Sequence, residues 1–81
     1  MSGNGPARRI GNVVRDLRRT QGLPRRHLAE LSGVHVQTIG ALERGDQRPS
    51  PDLAMRISAA FDRPVQEVFF WADSSTVSRD R

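Results

Sequence analysis

Seven arginines fall between Arg8 and Arg26 against the single acid Asp16, which gives that segment a charge of +6, while the rest of the chain sums to −2. Guanidinium groups at this density can neutralise a polyanion, by hydrogen bonding as well as by charge. All thirteen basic residues are Arg. A GC-rich genome explains the missing lysines, but it does not explain why the arginines cluster. Other chemistry is thinly represented. Cys is absent, which removes disulfides and thiolate metal sites and suits a reducing compartment. His27 and His35 stand eight residues apart, which is no zinc-ligand spacing, so neither a metal nor a cofactor is expected. No nucleophile–base–orienter set and no phosphate loop is visible, and the chain reads as a binding protein, not an enzyme.

Eighty-one residues suffice for one small domain with a core, but not for a buried reaction chamber and its supporting shell. The longest apolar run, Val68 to Ala72, is too short to span a bilayer, and the first six residues lack the apolar stretch of a signal peptide. A soluble, cytoplasmic protein is expected.

The segment Leu23 to Gly45 must position the basic residues. Leu28 and Leu31 make an apolar stripe on one short helix, and Ile39 with Leu42 makes one on the next. Ala29 is small where a second helix has to come close. Gly33 stands where the chain leaves a helix and reverses, a place that favours positive φ. This is helix-turn-helix spacing, and the second helix of that motif lies in the DNA major groove. A plain helical hairpin has the same spacing, so the motif needs support from the rest of the chain.

Periodicity predicts five helices. Ile10, Val13, Val14 and Leu17 follow the helical repeat, placing the first over residues 7–21 with Pro6 ahead, Gly22 behind, and Arg8, Arg15 and Arg19 outside. A second starts near Pro24, taken as the first helical position, and ends near Ser32. The third runs from Val36 to Arg44 and stops at Gly45. Ser50, Pro51 and Asp52 read as N-cap, first-turn proline and first-turn acid of the fourth, whose buried stripe is Leu53, Ile57, Ala60 and Phe61. Asp62-Arg63-Pro64 breaks it, and Val65, Val68 and Phe69 form one face of a short fifth helix. Residues 1–6 and 72–81 are expected to be disordered, bracketing a domain over 7–71 with its helix-turn-helix at 24–44.

From Ile10 to about Phe70, the segments IGNVVRDLRRTQGL, HLAELSGV, QTIGALERGDQRPSPDLAMRI and VQEVFF resemble, in order, the XRE family, which includes the phage lambda repressor and Cro. They are especially similar to its small stand-alone bacterial regulators. The resemblance implies an all-α, compact five-helix lambda-repressor-like domain that binds double-stranded DNA as a transcriptional regulator, with repression favoured. It places the base contacts at Val36, Gln37, Thr38 and Ala41. Gln37 can bond adenine N6 and N7, and the methyls of Val36, Thr38 or Ala41 can meet a thymine methyl. Val36 could instead cover core, although Ile39 and Leu42 already define the buried stripe. Gly40 costs about 1 kcal/mol inside a helix and either admits a close approach to DNA or is merely tolerated.

The same resemblance places phosphate contacts at Arg25, Arg26, His35, Arg44 and Arg48. Pro24 and Arg25 replace the Ser or Thr cap and the following Gln usual in the family, so a side-chain cap is lost and a charge gained. His35 stands where a capping Ser or Thr is common, and it either caps weakly or touches a phosphate. Arg15, Arg19 and His27 read as solvated surface. Arg18 and Glu43 match a structural ion pair that joins the first helix to the end of the third. Phe70 and Trp71 suit the interface of a homodimer, or Trp71 folds back over the core. A competing reading is an antitoxin that binds a toxin protein through its tail or fifth helix and represses its own operon.

Overall fold

The computed structural model describes residues 9–72, so the expectations for residues 1–6 and 73–81 lie outside the described residues. The order of elements is β1 (Ile10–Asn12), α1 (Val14–Thr20), α2 (Arg25–Ser32), α3 (Val36–Arg44), α4 (Pro51–Phe61), α5 (Val65–Val68) and β2 (Phe69–Trp71). Among the described residues, no helix is long and apolar enough to cross a membrane.

One core holds these elements together. Val14, Leu28, Ile39, Leu42, Ile57, Phe61 and Val68 are closed to solvent, with Ala29, Leu53, Ala54 and Phe69 around them. Each buried aliphatic or aromatic side chain contributes roughly 1.5–3 kcal/mol by leaving water. α2 packs against both α3 and α4, which makes it the hub that sets the pitch of α3. The turn between α2 and α3 needs Gly33, whose φ is 72°, a left-handed value costly for residues with a Cβ. α4 begins as its sequence indicates, with the Ser50 hydroxyl accepting from the Leu53 N–H at 3.1 Å and Pro51 in the first turn.

The start of the chain differs from its periodicity. The first helix begins at Val14, not residue 7, because Ile10–Asn12 pairs antiparallel with Phe69–Trp71 in a two-stranded sheet. The register matches Ile10 with Trp71, Gly11 with Phe70 and Asn12 with Phe69. Two bonds extend it: Val13 N–H donates to Val68 O at 3.0 Å, and Ala72 N–H donates to Arg9 O at 2.9 Å. Gly11 allows this closure, since a Cβ there would fall 2.7 Å from Phe70 Cε1 and 2.8 Å from Ala72 Cβ. The fold is therefore mostly helical with a small sheet, and the strictly all-α expectation is corrected.

Three smaller corrections follow from packing. α5 is one turn long, Phe69 reaches the core from β2, and Val65 stays exposed. On α2 the inward face is Leu28, Ala29 and Ser32, and Leu31 is 53% exposed because it lies to one side of that face. Pro24 is the N-cap of α2 and not its first helical residue, with ψ at 150° keeping it extended.

Candidate nucleic-acid interface

α3 has two unlike faces. Ile39 and Leu42 are fully buried, whereas Val36 and Gln37 are exposed in the first turn and Thr38 and Ala41 are half-buried beside them. Residues 37, 41 and 44 follow helical spacing, so Gln37, Ala41 and Arg44 form one stripe along the outer surface. The Gln37 amide makes no hydrogen bond among the described residues, which leaves both its donor and its acceptor for a ligand. His35 occupies the N-cap position but makes no side-chain capping bond.

A three-residue ion cluster fixes the other side of α3. Arg18 Nε donates to Glu43 Oε2 at 2.7 Å and Arg18 Nη2 to Oε1 at 3.3 Å, a bidentate arrangement between α1 and the end of α3. Arg25 Nη2 reaches the same Oε1 at 3.1 Å, tying in the start of α2. The Glu43 side chain is 1% exposed and that of Arg18 is 11%. Burial pushes the Glu43 carboxyl up, but hydrogen bonds and charge from Arg18 and Arg25 outweigh it and hold the carboxyl below its ordinary value. The sequence paired Glu43 with Arg18 alone, whereas the structure also turns Arg25 inward. Its side chain remains 46% exposed.

The other three arginines expected at phosphates, Arg26, Arg44 and Arg48, are all exposed. Arg26 is exposed in the first turn of α2, and no ion pair engages it among the described residues. Arg44 Nε bonds Asp46 Oδ2 at 2.9 Å on the surface, and Arg48 is exposed in the loop that follows. A Cβ added at Gly40 would meet Arg44 Nη1 at 3.3 Å and Arg25 Cδ at 3.9 Å. Those are flexible side chains, so no packed element requires glycine there. Phe70 and Trp71 are exposed on β2, and together with Ile10, Gln66 and Phe69 they line a shallow apolar cleft of about 410 Å³.

Asn12 is a positioning residue that periodicity did not single out. Its Oδ1 accepts from Val14 N–H at 3.0 Å, starting α1, and its Nδ2 donates to Leu42 O at 2.9 Å, holding the end of α3. The available signal is local, since an Asn side chain commonly accepts from the backbone N–H two residues on. Asn12→Ala is expected to cost about 1–2 kcal/mol by leaving the Val14 N–H unpaired in a partly buried place and removing one of two bonds to the Leu42 carbonyl, which keeps the Gly45 N–H at 3.1 Å. Asn12→Asp keeps the acceptor without the donor and should melt between the two, as thermal denaturation followed by circular dichroism will report.

Comparisons with known proteins match the helical part of the chain. A family model described as helix-turn-helix matches residues 14–68. The uncharacterized HTH-type transcriptional regulator YgzD of Bacillus subtilis (strain 168) is 41% identical over 59 residues, covering 73% of this chain and 89% of that protein. A competence pilus inhibition repressor of Acinetobacter baylyi is 35% identical over 65 residues, covering 80% of this chain and 59% of the repressor. Among solved structures, the restriction-modification controller protein C.AhdI from Aeromonas hydrophila superposes with a TM-score of 0.65 at 33% identity, over 67% of this chain and 82% of the controller.

Proposed function

We propose a mechanism for a chain that belongs to the XRE family of helix-turn-helix proteins and is a DNA-binding transcriptional regulator: α3 enters the major groove by its N-terminal turn, and the bound protein acts as a repressor. The observation that carries this reading is the contrast between the faces of α3. One is locked by Ile39, Leu42 and Glu43, and the other presents Val36, Gln37, Thr38 and Ala41. A reading element has to be rigid toward the scaffold and unsatisfied toward the ligand. In this role Gln37 bonds an adenine edge, while the methyls of Val36, Thr38 and Ala41 contact thymine.

Arg26, His35, Arg44 and Arg48 supply phosphate contacts. Arg25 is shared: Glu43 already has Arg18, so the exposed half of Arg25 can lean toward a phosphate while still bracing α3. The exposed Phe70 and Trp71 suit a homodimer reading two half-sites about 34 Å apart, one helical turn of DNA. The decisive experiment is selection of bound duplexes from a random-sequence pool. Enrichment of a short motif, repeated with two-fold symmetry, is expected, and failure to enrich any motif overturns the reading.

A further inference from the structure

We infer that the groove between β1 and the loop after α3 binds a DNA phosphodiester, with Arg9 as its additional contact. The inference rests on the DNA-binding reading and extends it to Arg9, which precedes β1 and lies outside the helix-turn-helix. The groove has a volume of about 560 Å³, and Arg9, Arg44 and Arg48 all line it. Three guanidinium side chains from segments far apart in sequence thus share one concavity with a single carboxylate, that of Asp46, which is engaged by Arg44. Among the described residues, neither Arg9 nor Arg48 has an ion-pair partner. Clustered positive charge in a concave surface focuses potential and raises the local concentration of anions.

Position makes DNA the fitting anion. Arg44 follows Gln37 by seven residues on the same stripe, about 10 Å along the helix axis. The major groove is about 12 Å wide and is bounded by two phosphate backbones. The groove of Arg9, Arg44 and Arg48 lies at the C-terminal end of α3, beyond the residues that face the bases. A helix read from its N-terminal turn would thus bring this cationic end toward a backbone that borders the groove. The small sheet acquires a purpose in this arrangement. Arg9 precedes the first strand, and its carbonyl accepts the Ala72 N–H at 2.9 Å, so pairing with the C-terminal strand pins Arg9 beside the end of α3.

The test is the salt dependence of binding to a short random-sequence duplex, followed by fluorescence anisotropy, for the whole chain and three alanine variants. Each phosphate contact contributes about 0.9 to the log–log slope. Arg9→Ala should flatten the slope by about one, as Arg26→Ala does, while leaving preference among selected sequences unchanged. Arg63→Ala, which removes a residue paired with Glu67 on the surface, should leave the slope as it is. Arg9→Lys should restore it, and a slope that stays flat with lysine overturns the charge assignment. If Arg26→Ala flattens the slope and Arg9→Ala does not, the groove is no phosphate site although the DNA-binding reading stands. If the unaltered chain shows no salt-dependent binding, both fall together.

Discussion

Glu43→Ala is expected to lower the melting temperature by on the order of 10–20 °C. The side chain is 1% exposed, and its loss strands the Arg18 guanidinium with only the Leu23 carbonyl, 3.3 Å from Nη1, as a partner among the described residues. Removing one member of a buried ion pair costs about 3–5 kcal/mol, since the survivor keeps its desolvation penalty without its compensation. Arg18 retains some contact with water, so the lower end of that range applies. In a domain of this size each kcal/mol moves the midpoint by roughly 4–8 °C. An unchanged thermal melt would remove the brace from the account. Replacing both partners together, as Arg18→Met with Glu43→Leu, should recover much of the loss, because neither charge is then left buried alone.

The same carboxylate makes stability acid-sensitive. Its folded pKa lies below the ordinary 4.5 under the influence of Arg18 and Arg25, even though burial opposes this. A carboxyl with a depressed folded pKa contributes in full above its unfolded value and loses the contribution as pH falls through the folded one. Melting temperature should therefore decline as pH drops from about 4.5, and Glu43→Gln should show a shallower decline over that interval. Parallel pH profiles for the two proteins would show that other carboxylates carry the acid sensitivity.

What could be read from the sequence was set by how local the determinants are. α3 ends at Gly45 and α4 starts at Ser50 because capping is decided within a few residues, and both boundaries follow from residue type alone. The first helix was overextended for the opposite reason. Ile10 keeps helical spacing with Val13, Val14 and Leu17, but its conformation is decided by Trp71, sixty-one residues away, across a strand pair that no window along the chain contains. Phe69 is buried as the helical stripe implied, although it arrives there on a strand. In the interface, the exposure of Gln37 followed from its place opposite Ile39 and Leu42. The inward turn of Arg25 did not, because a long flexible side chain chooses between solvent and Glu43 by geometry that only the assembled α1, α2 and α3 provide.

Gln37→Ala is expected to erase preference at one base pair with little change in stability. The side chain is exposed and bonded to nothing in the described protein, so its removal leaves no buried group unpaired, and Ala is the better helix former by a few tenths of a kcal/mol. Its effect on binding is expected to be large because its neighbours cannot replace it. Val36 and Ala41 offer only methyls, and Thr38 offers a single hydroxyl, half-buried against the scaffold. Gln37 is thus the only side chain in the first turn of α3 whose donor and acceptor sit on separate atoms, as a bidentate bond to one base edge requires. A bidentate contact of that kind discriminates by about 1–3 kcal/mol, or roughly 5- to 150-fold between the right base and a wrong one. Selection repeated with the variant should lose its adenine at one position in each half-site and keep the rest of the motif. A uniform weakening at every position would instead mark Gln37 as a backbone contact, and would leave methyl contacts and DNA shape to carry specificity.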